Sequence, residues 1–338
     1  MPDRRQVLKL LGGAATLMAT SPIEAADMPA TTPATSPTTA LSAETLPPAH
    51  DPVIAKENGV YHLFATHRLI QRWSSTDLVH WTKLPELLPE MPAWVTDVVP
   101  GCRGFWAPDI SYHNDRWQVY YSASTFGSMQ SAIGLATAPS LSPDAKWTDH
   151  GPIISTKKGS DWNAIDANFL FDEETKQPWL TLGSFWTGIK LFKLDRQTGL
   201  RDKSDETIHS IVRRPGDGAI EAPFLVKRHG WWYLLLSFDY CCRGADSTYN
   251  IRVVRSKSVT GPYVDKAGVE ALQGGGSVLL RGYDYVRGPG HCAVLRDGDR
   301  DLLVHHFYDA RKRGRPGLQV RPLTWDDDHW PVAGKPIE

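Results

Sequence analysis

A loose internal repeat of about 55 residues restricts the fold of this chain more than any other feature of its sequence. Short polar motifs recur along the chain, namely His50-Asp51-Pro52, Trp106-Ala107-Pro108-Asp109, Ile165-Asp166-Ala167-Asn168, Glu221-Ala222-Pro223 and Gly288-Pro289-Gly290-His291. One residue marks each motif: Asp51, Asp109, Asp166, Glu221 and His291. These markers follow one another at steps of 58, 57, 55 and 70 residues. Such spacing indicates one structural unit repeated five times.

Each motif is followed by a run of aromatic and aliphatic residues that is typical of a β-strand. These runs are residues 60–64, 117–121, 178–182, 231–235 and 302–306. Further strand candidates follow at 132–137, 189–193 and 251–255, and shorter closing runs at 151–154 and 277–280. Three or four strands in each unit predict an all-β chain folded as a five-bladed β-propeller over residues 48–338. The alternative is a two-sheet sandwich, which would not require evenly spaced acidic markers.

The first 47 residues predict a targeting signal and a linker rather than part of the folded domain. Arg4, Arg5 and Lys9 precede a short apolar run at 10–19, and Ala25 and Ala26 offer a cleavage point. Residues 1–26 therefore predict an export signal that resembles the twin-arginine type, with an ordinary export signal or a lipid-interacting tail as alternatives. Residues 27–47 are rich in Pro, Thr and Ala and predict a linker. We expect an exported protein, periplasmic or extracellular, whose mature form does not bind a membrane.

Charge and aromatic content restrict the ligand. The chain has 37 Lys and Arg against 38 Asp and Glu, a formal net charge of −1. It has no basic excess of the kind that binds nucleic acid or anionic membranes. Tryptophan is unusually abundant, with 13 residues against 11 Tyr and 10 Phe. Many flat aromatic faces in a neutral protein favour an uncharged ligand such as a carbohydrate.

The predicted fold gives the markers a chemical consequence. If each marker opens the first strand of its blade, residues nearly sixty positions apart meet at one end of the central channel. The carboxylates Asp51, Asp166 and Glu221 would then form one cluster.

These motifs together resemble glycoside hydrolase family 43, and within it the arabinanases, which cleave α-1,5-linked L-arabinan. Further resemblance lies in Ser124-Thr125-Phe126-Gly127, Gly183-Ser184-Phe185-Trp186, Cys241-Cys242-Arg243-Gly244 and the stretch 247–252. It covers essentially residue 50 to the C-terminus. The family fold is a five-bladed propeller, in agreement with the repeat count.

The resemblance implies an inverting hydrolase with Asp51 as the general base and Glu221 as the general acid. Asp166 is the third carboxylate, which in the family raises the pKa of the acid and helps to orient it. Family members often have Pro after this residue, where this chain has Ala167. Asp109 is not catalytic in the family, and we interpret it as a structural hydrogen-bond acceptor.

The resemblance also implies substrate-binding residues. Trp106 and Phe126 are expected to stack on the sugar next to the cleaved bond, because an aromatic face suits the C–H face of a furanose. The other positions that match substrate contacts of the family are Gly127, Asn163, Ser184, Phe185 and Trp186.

A metal is implied only by the resemblance. The histidine that corresponds to His291 in arabinanases approaches an ion, usually calcium, held mainly by waters on the propeller axis. The sequence by itself predicts no such site, since calcium prefers oxygen ligands. No organic cofactor is expected. A bridge between Cys102 and Cys292 is possible, whereas the adjacent Cys241 and Cys242 are not expected to bond to each other.

We therefore expect an endo-acting arabinanase that works as a monomer on arabinan or arabino-oligosaccharides. An exo-acting arabinanase, an arabinofuranosidase or a xylosidase of the same family is the neighbouring alternative, because the loops at the groove ends decide between them. A carbohydrate-binding propeller without catalytic activity is the alternative from another class.

Overall fold

The computed structural model describes residues 46–216 and 218–338, which form five antiparallel sheets of four strands each. Every sheet is built from consecutive strands, so each is one blade of a five-bladed β-propeller, as the repeat predicts. The predicted export signal, and all but the last two residues of the predicted linker, lie outside the described residues.

The strands of each blade follow the chain in order. Blade 1 contains β1 (Val53–Glu57), β2 (Val60–Ala65), β3 (Gln71–Ser75) and β4 (Thr82–Leu84), and the short helix α1 (Trp94–Val98) follows it. Blade 2 contains β5 (Phe105–His113), β6 (Arg116–Ala123), β7 (Ser131–Ala138) and β8 (Thr148–Thr156). Blade 3 contains β9 (Asn168–Asp172), β10 (Gln177–Leu182), β11 (Ile189–Lys193) and β12 (His209–Val212). Blade 4 contains β13 (Ile220–Arg228), β14 (Trp231–Phe238), β15 (Asn250–Ser256) and β16 (Ser277–Leu280). Blade 5 contains β17 (Val286–Asp297), β18 (Arg300–Asp309), β19 (Arg315–Trp325) and β20 (Pro331–Ala333).

The five predicted aromatic and aliphatic runs all lie in the second strand of a blade, namely β2, β6, β10, β14 and β18. These strands are buried along almost their whole length because a neighbouring blade packs on each face. A strand buried on both faces has no alternation of polar and apolar residues, which explains why the runs are continuous. The fourth strands β4 and β8 lie at the outer edges of their blades. Strand β4 is mostly exposed, and the residues of β8 alternate between more and less exposed positions.

The ring closes through contacts between blades 1 and 5 rather than through a shared strand. Blades 1 and 5 are joined where Lys56 Nζ donates to Asp297 Oδ1 at 2.6 Å and Tyr61 Oη donates to Asp297 Oδ2 at 2.8 Å. The Leu318 amide also donates to the Pro47 carbonyl at 3.2 Å. The largest apolar cluster spans the same seam and continues into blade 2, since Leu63 and Val304 belong to it together with residues of β6.

Among the residues with a left-handed backbone, one non-glycine residue at the start of each blade forms a recurring set, and we call these five the blade-entrance residues. They are Asp51, Ala107, Asp166, Ala222 and His291, with φ of 51°, 46°, 61°, 53° and 45°. Each of their amides donates to a side chain of the preceding blade: Asp51 to His306 Nδ1 (3.1 Å), Ala107 to Thr66 Oγ1 (2.9 Å), Asp166 to Ser122 Oγ (2.9 Å), Ala222 to Asp166 Oδ2 (3.2 Å) and His291 to Ser237 Oγ (2.8 Å). Two of the markers chosen from sequence are therefore out of register, because Asp109 follows its entrance residue by two positions and Glu221 precedes its own by one.

Asp109 is a structural acceptor, as predicted. Its buried carboxylate accepts from the Phe169 amide at 2.7 Å and from Asn168 Nδ2 at 3.1 Å, and so ties blade 2 to blade 3. Asn168 Oδ1 in turn accepts from the Leu225 amide of blade 4 at 2.8 Å. Burial raises the pKa of Asp109 to about 7, and the two hydrogen bonds oppose this rise.

We expect Asp109→Ala to lower the free energy of unfolding by about 2–4 kcal/mol, because two buried donors lose their acceptor. Urea unfolding followed by fluorescence measures this change. Asp144→Ala is the matched control, since Asp144 is exposed. Equal stability of the two variants would contradict the role given to Asp109.

Candidate active site

The three carboxyl groups singled out from sequence lie close enough to act on one another. Asp51, Asp166 and Glu221 belong to blades 1, 3 and 4, and each is more than nine-tenths buried. The charge of Asp51 raises the pKa of both other carboxyls, and the charge of Glu221 raises that of Asp166. The structure thus brings together residues up to 170 positions apart, as the propeller predicted.

Asp51 is held in its ionised form. His50 Nδ1 lies 2.8 Å and His291 Nδ1 3.2 Å from Asp51 Oδ1, and Thr66 Oγ1 donates to Oδ2 at 2.5 Å. Burial alone would raise the pKa of this carboxyl, but the charges of His50 and His291 and the hydrogen bond from His50 outweigh it. The net effect is a pKa well below the usual range. The carboxylate is therefore ionised near neutral pH.

His50 is fixed by a chain of hydrogen bonds that runs outward. Tyr308 Oη lies 2.8 Å from His50 Nε2 and itself accepts from the Cys242 amide at 2.7 Å. The tyrosine can therefore donate to Nε2, which places a ring proton on Nδ1, facing Asp51. Burial lowers the pKa of His50, but the charge of the adjacent Asp51 and its hydrogen bond outweigh this effect, so the net pKa of His50 is raised.

His306 supports Asp51 in a different way. Its Nδ1 accepts the Asp51 amide, so the ring proton lies on Nε2, which is buried and has no hydrogen-bond partner among the described residues. Burial holds the pKa of His306 well below its usual value, so the ring is neutral. It stacks on His50 with ring centroids 4.1 Å apart. The adjacent His305 faces the other side of the strand, where Arg321 Nε lies 3.2 Å from its Nε2.

The surroundings of Glu221 raise its pKa, whereas those of Asp51 lower the pKa of that carboxyl. Its Oε2 accepts a hydrogen bond from Ser184 Oγ and its Oε1 accepts one from Tyr249 Oη, both at 2.8 Å. Burial raises its pKa and the Asp51 charge adds to this, while the two hydroxyl donors oppose it. Burial and the charges of Glu221 and Asp51 likewise raise the pKa of Asp166 well above its usual value. The Glu221–Asp166 pair can therefore keep a proton at a pH where Asp51 has lost its own.

The residues expected to contact substrate on blades 2 and 3 differ in exposure. Trp106 is half-buried next to an entrance residue, whereas the Phe126 side chain is 72% exposed. Gly127 lies in the same exposed turn with φ of 74°. Asn163 is buried, and its Oδ1 has no hydrogen-bond partner among the described residues.

Phe185 and Trp186 lie beside Ser184 in a strained turn, since both have left-handed backbones with φ of 53° and 45°. The Phe185 amide donates to the Ile220 carbonyl at 2.8 Å, which places this turn next to Glu221. The Trp186 ring N–H is buried without a partner among the described residues.

Four residues of the cluster were not singled out from sequence: His50, Tyr249, His306 and Tyr308. The first two lie inside motifs that were noticed, and His306 ends a predicted strand. Their roles depend on contacts such as that between His50 and Tyr308, which are 258 positions apart. Local sequence carries no signal for such a pairing.

The cysteines differ from expectation. Cys241 and Cys242 form a disulfide, so the prediction that these neighbours do not bond was wrong, and Cys102 and Cys292 are free. Cys242 is exposed and its Sγ lies 4.0 Å from His50 Nε2. The disulfide therefore forms part of the rim above Asp51.

The donor atoms near His291 do not fit calcium. In the described part of the chain, His50, Asp51 and His306 have ligand atoms within 4.8 Å of one another, and His291 Nδ1 adjoins the same carboxylate. This set offers imidazole nitrogens and one carboxylate already held by His50 and Thr66, whereas calcium takes six to eight oxygens. The ion remains an expectation from the family resemblance, and no step below depends on it.

Over residues 46–216 and 218–338, no helix combines the length and the apolar character needed to cross a membrane.

Comparisons with known proteins identify the family of this chain and several of its relatives. The family model described as glycosyl hydrolases family 43 matches residues 47–331. The chain is 41% identical to an extracellular endo-α-(1→5)-L-arabinanase of Bacillus subtilis, over 83% of this chain and 86% of that protein. Among solved structures, an exo-1,5-α-L-arabinanase from a bovine ruminal metagenomic library has a TM-score of 0.82 and 42% identity, and covers 86% of this chain and 98% of its own. The α-L-arabinanase of Cellvibrio cellulosa in complex with arabinohexaose has a TM-score of 0.80 and 37% identity, and covers 84% and 95%.

We expect His50→Asn to raise the pKa of Asp51, because burial is then opposed by fewer positive groups and one hydrogen bond is weakened. Carboxyl-carbon NMR titration of labelled aspartate measures the shift. His80→Asn is the control, since His80 Nδ1 also pairs with an aspartate, Asp77, at 2.8 Å, but on the surface. An unchanged Asp51 titration in His50→Asn would show that His50 does not set the charge of Asp51.

Proposed function

This chain belongs to glycosyl hydrolases family 43, and from that premise we propose that the protein cleaves internal bonds of α-1,5-linked L-arabinan, with inversion at the anomeric carbon. The observation that carries the proposal is the electrostatic contrast inside the carboxyl cluster. Asp51 is held ionised while the pKa of Glu221 is raised. Glycoside hydrolysis by inversion needs this pair, one base and one acid.

Asp51 is the general base in this proposal. It takes a proton from a water molecule as the water attacks the anomeric carbon. The imidazoles of His50 and His291 stabilise the ionised carboxylate before this step. The hydrogen bond from Thr66 holds the second carboxylate oxygen and restricts the orientation of the group.

Glu221 is the general acid and protonates the glycosidic oxygen as the bond breaks. Burial and neighbouring negative charge keep it protonated before the step, and Ser184 and Tyr249 stabilise the carboxylate that it leaves. Asp166 is the third carboxylate. The Glu221 charge raises the pKa of Asp166, and because like charges in contact resist ionisation together, the two carboxyls keep one proton between them in this proposal.

The substrate lies against aromatic surfaces in this proposal. Phe126 offers a largely exposed ring and Trp106 a half-buried one, and both suit the apolar face of a furanose. The unpaired Asn163 Oδ1 accepts from a sugar hydroxyl. The turn at Gly127 and the strained turn at Ser184, Phe185 and Trp186 complete the contacts.

Exo action is the second candidate. The solved exo-1,5-α-L-arabinanase is as similar to this chain as the Bacillus endo-enzyme, with 42% against 41% identity. The two modes share the carboxyl cluster and differ in whether the substrate can extend past both sides of it.

The proposed place of action is outside the cytoplasm, with the enzyme working as a monomer. The proposed place of action rests on the sequence of residues 1–26 and on the Bacillus relative, which is extracellular by name.

We expect Glu221→Gln to lower kcat on linear arabinan by about 10²–10⁴-fold, because general acid catalysis contributes this much. Reducing-end release measures the rate, and proton NMR of the first product shows the inverted anomer. Glu90→Gln, on an exposed loop, should keep the rate of the unchanged protein. Full activity of Glu221→Gln would refute the assignment of the acid.

The same reaction separates the two modes of action. Early products of mixed length indicate endo cleavage, and a single short product from the start indicates exo cleavage. Xylan run beside arabinan tests the xylosidase alternative, and binding without any product would support the non-catalytic one.

We expect Asp166→Asn to shift the basic limb of the kcat/KM profile to lower pH. Asparagine cannot ionise, so in this proposal repulsion between the two carboxyls no longer opposes ionisation of Glu221 and the acid loses its proton at lower pH. The amide oxygen can still accept from the Ala222 amide, so this blade contact persists. A pH profile on arabinotriose measures the shift, and an unmoved basic limb would mean that Asp166 does not act on the acid.

A further inference from the structure

A polar cavity of about 350 Å³ lies between blades 4 and 5. Tyr249, Arg252 and Asp239 line it from the region of β14 and β15, Arg281 from the connection between the two blades, and Arg287 from the start of β17. Neither the fold nor the proposed reaction explains why three arginines meet here.

The positive charge of this cavity is not neutralised from within. Its lining has three guanidinium groups and one carboxylate, and that carboxylate is already engaged. Asp239 Oδ1 accepts from Arg214 Nη1 at 2.6 Å, and Oδ2 accepts from Asn250 Nδ2 at 2.7 Å. Among the described residues, neither Arg281 nor Arg287 forms an ion pair.

Arg252 is fixed at the wall of the cavity. Its Nε donates to Asn250 Oδ1 at 2.6 Å and its Nη1 to the Gly276 carbonyl at 3.0 Å. Burial lowers its pKa, and the charges of Arg281 and Arg214 lower it further, against the opposing effect of Asp239. Like charges this close are unfavourable unless an anion lies between them.

One side chain connects the cavity with Glu221. Tyr249 lines the cavity and also donates its hydroxyl to Glu221 Oε1 at 2.8 Å. An anionic group bound here would therefore be separated from Glu221 by the Tyr249 side chain. A free anion has no reason to be placed at that point, whereas an acidic sugar of the polysaccharide has.

We propose that this cavity binds the carboxylate of a sugar acid that is part of, or adjoins, the arabinan substrate. The guanidinium fork matches a planar carboxylate with two parallel hydrogen bonds, and arginine is favoured wherever such a group is recognised. The enzyme then prefers arabinan that carries uronic acid residues over neutral arabinan. The inference rests on the proposed function only in placing a polysaccharide beside Glu221.

Calorimetric titration of the full chain tests the site without turnover. The probes are methyl α-D-galacturonate, its neutral counterpart methyl α-D-galactoside, and inorganic phosphate. We expect the uronate to bind the unchanged protein at least tenfold more tightly than the neutral glycoside, and this preference to weaken at high salt. The double variant Arg281→Gln/Arg287→Gln should bind the uronate at least tenfold more weakly.

Arg196→Gln is the matched control, because Arg196 is exposed on blade 3 and far along the chain from the cavity. It should bind the uronate as the unchanged protein does. The single variant Arg281→Gln changes one exposed side chain and serves if the double variant is unstable.

Three results would overturn the proposal: equal uronate binding by the double variant, equal binding of uronate and neutral glycoside, or phosphate binding as tight as uronate binding. The last would identify a site for free anions. Hydrolysis of neutral linear arabinan by the unchanged protein is measured separately, so failure of the proposed function does not decide the binding result.

Discussion

The backbone amide of each blade-entrance residue donates a hydrogen bond to a side chain of the preceding blade. The residue adopts a left-handed conformation to do so, at a cost of about 1–3 kcal/mol for a residue other than glycine. That cost recurs five times around the ring, so blade packing must over-determine the position. A residue held this firmly is a good place for chemistry, and Asp51 and Asp166 are two of the five.

The acceptors of these amides are not equivalent around the ring. Three are hydroxyls, whereas the amides of Asp51 and Ala222 are received by an imidazole and by the Asp166 carboxyl. These two titratable acceptors lie at the entrances that carry the proposed base and, next to Ala222, the proposed acid. Asp166 therefore links two blades and acts on Glu221 with the same side chain.

The fold was predictable because its signals are local and repeated. A fully buried second strand reads as a continuous apolar run, and the repeat spacing reports the blades. The register was less predictable. Proximity in the motif suggested Asp109 and Glu221 as equivalents of Asp51, but the left-handed position falls on Ala107 and Ala222, whose side chains carry no chemistry. The disulfide, the environment of Asp51 and the arginine cavity depend on contacts between distant segments, which no local pattern encodes.

One loop contributes to the surroundings of both the proposed base and the proposed acid. The segment between β14 and β15 carries Cys242, whose amide donates to Tyr308 and so holds the histidine that contacts Asp51. Tyr249, at the end of the same segment, donates to Glu221. The Cys241–Cys242 disulfide restricts the backbone of this loop near its start. The base and the acid lie on different blades, so their spacing depends on blade packing. The same connection nevertheless supports both, indirectly through Tyr308 and His50 for Asp51 and directly through Tyr249 for Glu221. A shift of this loop would therefore change the hydrogen bonding around both groups together.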